Sequence, residues 1–402
     1  MAMRIIIIAD YAVATGGAQR VAVESARALA EVGVHVTFLH AIPGTDPALD
    51  HPLIDKQCLN LPDVWQRSAV SGAINGVWSM QAGRRMAAAL APFEGEKDVI
   101  LHLHQWTRAF SPSIFSVLRA SRLPLAITAH DYFLACPNGV LFRFDQMAPC
   151  RLAPMSLACI RTNCDTRSYP HKLVRVARQA ATSSQWEDWR VAVFHIADGA
   201  RQRLAPLLPA HWRNYRVDNP ISVSRAAPVE IAKDAAFAMV GRLTEDKGAL
   251  VAAEAAARAG AKVLFIGEGP ARDAILRIMP DAEITGWVSP QEVQKLLRTR
   301  IRAVLAPSLW EETGPLTVLE AAAIGLPAIV SSRCGASERV NSGTGRIAAP
   351  DPLAFSDAMR VFMDDGQARA MGRAAYDQFW ANPPDGAAHA KALLRAYAAM
   401  LG

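Results

Sequence analysis

Glu312 and Glu320 are separated by seven residues and bracket the run Thr313-Gly314-Pro315-Leu316-Thr317. A carboxylate accepts hydrogen bonds from hydroxyl groups. A helix start offers the opposite chemistry, since its unpaired N–H groups and the positive end of its dipole attract phosphate. Pro315 suits the first helical position, where its missing N–H costs nothing. Gly325 then suits the stop, with Pro327 just beyond. Donors near Leu316 and Thr317, flanked by two acidic side chains, fit a ligand with phosphate at its centre and hydroxyl-rich groups at each end. A solvated amphipathic helix carrying two glutamates is the plain alternative.

Two cations lie upstream on a strand exit. Gly241-Arg242 ends the apolar run Ala236–Val240, and Lys247-Gly248 precedes a helical stretch, 249–259. Cations there neutralise a diphosphate and the charge it develops on departure. His130-Asp131 closes another apolar run, Pro124–Ala129, where open α/β sheets place ligands. His102 and His104 end a similar run at 98–104; core or supporting roles are the expectation for both. Gly16-Gly17 follows the first strand, Arg4–Ala9, and opens a helix reaching Val32. Gly267-Glu268-Gly269-Pro270 lacks the third glycine of a dinucleotide fingerprint.

These motifs, in this order, resemble retaining glycosyltransferases of the GT-B fold, family 4 (group 1) in particular. The implied fold is α/β, with two Rossmann-like domains facing a central cleft. The expected domains are 1–220 on the acceptor side, with a Cys-bearing insertion at about 132–170, then 221–375 for the nucleotide sugar. Residues 376–402 form a final helix crossing back to the first domain. The resemblance implies that His130, Arg242, Lys247 and Glu312 are catalytic. It implies donor contacts from Gly16, Gly17, Gly241, Gly267, Gly286, Trp287, Val288, Gly314, Pro315, Leu316, Thr317 and Glu320. Glu320 is expected on the ribose, Glu312 on the sugar, and Trp287 or Val288 against the base. Thr313 stands where many members carry phenylalanine, which alters the expected sugar pocket. The implied reaction moves a hexosyl group from a nucleotide diphosphate sugar to a hydroxyl of a glycan or lipid-linked acceptor, without a metal or other cofactor. An epimerase of the same fold, a nucleotide-binding dehydrogenase and a non-catalytic nucleotide-sugar binder are the alternatives.

Composition sets the frame. The chain has 402 residues, 51% hydrophobic and 20% charged, with a net charge of +6. That length predicts two domains, and the balance is globular rather than disordered. Positive charge suits anionic ligands or an anionic membrane surface. No dense Lys/Arg block with interleaved aromatics points to nucleic acid. The Ile5–Ile8 run is too brief for a signal-peptide core, so the expectation is a cytoplasmic protein able to sit at the inner face of the membrane. Residues 66–90 are expected to be helical. Cys136, Cys150, Cys159 and Cys164 fall within 29 residues, separated by 13, 8 and 4 residues. A structural zinc site, disulfides and free thiols are all open for them.

Overall fold

The computed structural model describes residues 3–14, 16–186 and 188–401. The chain divides into two compact units. The first comprises Met1–Asp145, Cys150–Ser222 and Pro384–Gly402; the second comprises Gln146–Pro149 and Val223–Pro383.

The first unit begins β1 (Arg4–Ala9), α1 (Gly17–Glu31), β2 (His35–His40) and β3 (Ile54–Cys58). It continues with α2 (Ala69–Val77), α3 (Met80–Leu90), β4 (Val99–Leu103), α4 (Ser113–Ala120) and β5 (Leu125–Ala129). The Cys-bearing stretch is mostly irregular, with β6 (Phe142–Arg143), β7 (Ala148–Pro149) and α5 (Leu157–Arg161). Then come α6 (Tyr169–Ser183), β8 (Val191–His195), α7 (Asp198–Leu204) and β9 (Arg213–Arg216). Seven strands form a parallel sheet ordered β3-β2-β1-β4-β5-β8-β9. Its central strands are mostly apolar and, but for Arg4, buried, as a sheet covered on both faces requires.

The second unit repeats the plan. Its strands are β10 (Ala236–Val240), β11 (Val263–Ile266), β12 (Glu283–Ile284), β13 (Ile301–Ala306), β14 (Ala328–Ser331) and β15 (Gly345–Ala348). Its helices are α8 (Ala249–Ala259), α9 (Arg272–Ile278), α10 (Pro290–Arg300), α11 (Leu316–Ala323), α12 (Pro352–Met363) and α13 (Asp365–Ala381). The strands form a parallel sheet ordered β12-β11-β10-β13-β14-β15. Helix α14 (Gly386–Leu401) belongs to the first unit. Its Leu393, Ala396 and Tyr397 join the core beside α1, and its His389 Nε2 lies 2.8 Å from Ser25 Oγ.

Several expectations shift. The first unit runs to Ser222, and the second to Pro383 rather than 375, because α13 continues unbroken to Ala381. The single helix expected over 66–90 is two. Ser68 caps α2 by accepting from Ser71 N–H, and Ser79 caps α3 by accepting from Ala82 N–H; a serine in that role begins a new helix rather than extending an old one. Pro315 has φ −69° and ψ 131°, so it precedes α11 and Leu316 is the first helical residue.

In both sheets the strand order reverses beside the first strand, between β1 and β4 and between β10 and β13. Ligands of open α/β sheets bind outside the carboxyl ends of the strands at such a reversal.

Candidate functional site

In the second unit the loops after the two reversal strands are locked together. The loop after β10 carries Gly241, Arg242 and Lys247; the loop after β13 carries Ser308, Trp310 and Glu312. Leu309 N–H donates to Asp246 O at 2.8 Å. Gly248, at φ +79°, passes so close to Pro307 O that a Cβ would stand 2.1 Å from it. Only glycine meets both demands.

That lock brings Lys247 and Glu312 into contact. Lys247 Nζ pairs with Glu312 Oε1, and Ser308 Oγ donates to Glu312 Oε2. The ammonium also stands 5.1 Å from the centroid of the Trp310 ring, a cation–π arrangement. Glu312 is 8% exposed. Both of its oxygens are engaged, yet a carboxylate accepts about four hydrogen bonds, so acceptor capacity remains. The Glu312 carbonyl accepts from Gly335 N–H at 2.7 Å, fixing the loop from behind.

Helix α11 starts four residues beyond Glu312, and its N-cap residue, Pro315, offers no side-chain cap. The first N–H groups of any helix have no partner within the helix itself, and here they belong to the turn that begins with Leu316 and Thr317. Glu320, 7% exposed, lies one turn in, on the helix face shared with Leu316. Gly314 and Pro315 form the approach to the helix.

Arg242 is exposed, and its guanidinium makes no ion pair or hydrogen bond among the described residues. Gly267 follows β11 and crosses Gly241 so closely that a Cβ would meet Gly241 O at 2.0 Å. Gly267 also forms an isolated bridge with Gly286. Of the two residues expected near the base, Trp287 is 69% exposed, whereas Val288 packs against the core. Trp287 therefore presents the free aromatic face.

In the first unit, Gly16 is extended and precedes α1, and Gly17 opens that helix with nothing within 4 Å of a built Cβ. His130 follows β5, and its Nε2 lies 3.0 Å from His104 Nδ1 at the end of β4. Burial and the nearby His389 hold the His130 imidazole down at about 3, so it is neutral at neutral pH. Burial raises the neighbouring Asp131 carboxyl to about 6, against the pull of Phe133 N–H and Arg178. A small recess is lined by His104, Gln105, Thr128, His130 and Asp131. His102 is a core residue, 2.7 Å from Thr128 Oγ1 and 2.6 Å from Tyr397 OH of α14.

Sequence reading passed over a second group at this sheet edge. Asp10 ends β1, is fully buried, and accepts from the N–H groups of Arg108, Ala109 and Phe110 at 2.9–3.1 Å. Next to it, Tyr11 OH donates to Asp63, which also holds Arg108 through Nη2 at 2.6 Å. Burial pushes the Asp63 carboxyl up, but the Trp65 N–H, Tyr11 and Arg108 outweigh it and leave the group below its ordinary value. The signal was a carboxylate directly after an all-apolar strand.

All six cysteines are reduced, and Cys136, Cys150, Cys159 and Cys164 are buried. Among the described residues, no three His, Cys, Asp or Glu side chains converge at the spacing of a single bound ion. Nor is any helix among them long and apolar enough to cross a membrane.

Residues 234–365 match the family model described as Glycosyl transferases group 1. A 150-residue stretch is 35% identical to glycogen synthase of Mycobacterium tuberculosis, covering 34% of this chain and 36% of that protein. The match thus spans about a third of the curated relative's length. Over 99% of both chains, the structure resembles sucrose-phosphate synthase from Thermosynechococcus elongatus, with a TM-score of 0.68 and 15% identity. It also resembles Anabaena HepE in complex with UDP and glucose, with a TM-score of 0.68 and 12% identity over 98% of this chain and 99% of that one. For the lipopolysaccharide outer core galactosyltransferase WaaB the TM-score is 0.62 at 15% identity, over 99% of each chain.

Proposed function

We propose that this chain, a GT-B protein whose second unit is a group 1 glycosyltransferase domain, transfers a hexosyl group from a nucleotide diphosphate sugar to a hydroxyl, with retention at the anomeric carbon. The observation that carries this reading is the Lys247–Glu312–Ser308 constellation beside the start of α11. Charge develops on the leaving diphosphate as the glycosidic bond breaks. Donors already fixed in place stabilise that charge without reorganising, and one such donor is worth about 3 kcal/mol in the transition state. In this reading Arg242, Lys247 and the first N–H groups of α11 take the diphosphate. Glu320 accepts from the ribose hydroxyls, and Trp287 stacks on the base. Glu312 fixes Lys247 and offers its remaining lone pairs to the sugar.

His130, held neutral, both donates and accepts, which suits a sugar hydroxyl better than a phosphate. Gly17 leaves space at the start of α1 for a phosphate or an acceptor group, with the Gln19 side chain beside Gly16. In this reading the leaving phosphate takes the acceptor's proton. The glycan or lipid-linked acceptor of cell-surface polysaccharide synthesis, and peripheral contact with an anionic membrane at the cytoplasmic side, belong to the same reading. They are supported by the net charge of +6 and by exposed Val70 and Ile74 on α2. A nucleotide-sugar panel scored by thermal shift tests the donor class, since a ligand that binds only the folded state raises its melting temperature. The expected result is stabilisation by at least one nucleotide diphosphate sugar, followed by an NMR product spectrum with the donor's anomeric configuration. Stabilisation by a nicotinamide dinucleotide alone, or conversion of the donor with no acceptor present, would replace this reading.

A further inference from the structure

Two histidines at the end of β4 differ in how their nitrogens are used. His102 and His104 lie two positions apart, so their rings fall on one face. His102 is fully buried and has both nitrogens occupied, Nε2 by Thr128 Oγ1 and Nδ1 by Tyr397 OH. That is the pattern of a satisfied core histidine. His104 is 4% exposed, with its ring centroid 4.2 Å from that of His102. Its backbone N–H is fixed on Ile8 O at 2.9 Å. Its Nδ1 meets His130 Nε2, but its Nε2 has no hydrogen-bond partner among the described residues.

The next residue repeats the pattern. Gln105 Oε1 is shielded from solvent and unpaired. Both residues line the recess beside His130 and Asp131, at the carboxyl ends of β4 and β5, where sheets of this kind bind ligands. A buried polar group without a partner is costly, and each one in a native structure calls for a reason. Two of them, adjacent in the chain and lining one cavity, mark a place where a ligand supplies the partners.

The size and chemistry of the recess narrow that ligand. It encloses about 20 Å³, room for one water-sized group. An amide oxygen only accepts, so the guest must donate to Gln105. Burial keeps both imidazoles neutral at neutral pH, and between two neutral rings one nitrogen donates while the other accepts. A hydroxyl has one proton. Given to Gln105 Oε1, it leaves lone pairs that accept from His104 Nε2–H. His104 Nδ1 is then bare and accepts from His130 Nε2–H. One tautomer of each ring meets every demand.

We propose that this recess is a subsite for a single sugar hydroxyl, read by His104 Nε2 and Gln105 Oε1, and that His104 is thereby a specificity-determining residue that also sets the tautomer of His130. The sugar identity of the guest rests on the transferase reading above. The hydroxyl fixes the His104 proton on Nε2, and His104 in turn fixes the His130 proton on Nε2, which makes His130 Nδ1 an acceptor. A guest without the hydroxyl leaves His104 and Gln105 unpaired, and a site built to bond a hydroxyl rejects such an analogue strongly.

The test uses the full chain with isotope-labelled histidine and reads the ring nitrogens by long-range proton–nitrogen NMR, His104 being assigned through His104→Asn. The probes are methyl hexosides, the nucleotide diphosphate sugars of the panel above, and the monodeoxy forms of each. The expected result is a protonated His104 Nε2 whose signal moves with a parent probe and not with the form that lacks one particular hydroxyl. Movement with the nucleotide sugar assigns that hydroxyl to the donor; movement with the hexoside assigns it to the acceptor. In turnover, loss of the same hydroxyl should lower kcat/KM at least ~100-fold. His104→Asn, whose amide replaces Nδ1 but not Nε2, should shrink that discrimination at least ~10-fold, and His104→Gln, whose amide replaces Nε2, should restore it. A merely structural histidine would lower turnover of parent and deoxy substrates alike. Should His104→Asn misfold, Gln105→Ala, at a half-buried position, reads the same ratio. A His104 Nε2 that no probe moves, or a discrimination unchanged in the variants, overturns the subsite and leaves a resident water as its occupant; the transferase reading survives that result if a nucleotide sugar is turned over. A hexoside that moves His104 while no nucleotide sugar binds keeps the subsite and removes the transferase reading.

Discussion

The two units solve one problem with different materials. Each must hold together the loops that leave its two reversal strands. In the first unit the fastener is buried Asp10, reached by three backbone N–H groups of the loop after β4. In the second it is Leu309 N–H on Asp246 O together with the Lys247–Glu312 pair. The side chains at the two edges differ just as sharply. All ten histidines of the chain lie in the first unit and none in the second. The first edge therefore offers neutral, two-way hydrogen-bonding groups whose state depends on burial. The second offers Arg242 and Lys247, a guanidinium and an ammonium, which only donate. Cations suit a ligand that is always anionic, whereas neutral imidazoles suit one that carries hydroxyls.

Removing the second unit's fixed charge tests this contrast most strongly. Lys247→Ala should lower transfer by at least ~100-fold, because the leaving diphosphate loses a fixed cation and Glu312 loses its partner. Steady-state rates over a range of donor concentrations will show it, with most of the loss in kcat. A near-normal rate would mean that the pair is structural only.

A smaller effect is expected from the fastener itself. Gly248→Ala forces a Cβ into Pro307 O at a left-handed backbone position. A loss of roughly 2–3 kcal/mol of stability in the second unit is expected. Hydrogen exchange resolved by peptide should place that loss in the segments around β10 and β13.

The mildest test concerns pH and should move only the first unit. Burial holds His389 down at about 4, from an ordinary 6.5, partly offset by its bond to Asp218 O. The folded chain then binds fewer protons than the unfolded one below 6.5, so stability is complete above that value and declines as pH falls toward 4. Each such histidine contributes a slope of about 1.4 kcal/mol per pH unit within its window. Melting followed from pH 8 to 4 should show first-unit peptides losing protection first, and His389→Gln should flatten the slope. Equal acid sensitivity in both units would remove the contrast.

Legibility in the sequence followed burial. Strands β1, β4, β5, β10 and β13 are mostly apolar, with Arg4, His102, Thr128 and Arg302 as the polar exceptions, and can be read directly. Strand β3, Ile54-Asp55-Lys56-Gln57-Cys58, buries only its first residue, and β9, Arg213-Asn214-Tyr215-Arg216, is polar throughout. Both lie at sheet edges, where pairing rather than hydrophobic pattern makes the strand. The family match to residues 234–365 agrees with the motifs of the second unit. What no local pattern could supply was partnership at a distance. Lys247 meets Glu312 across 65 positions, and Tyr397 meets His102 across 295. Nor does the position of Asp10 in the chain betray that it stitches a loop about a hundred residues away.

The return of α14 sets an order on biosynthesis. A ribosome that has made 222 residues has not finished the first unit, whose core still lacks Leu393, Ala396 and Tyr397. The second unit, contiguous but for four residues, has all of its segments made before α14 begins. Vectorial synthesis usually lets the amino-terminal domain mature first; here the first unit cannot close its core until α14 has been made.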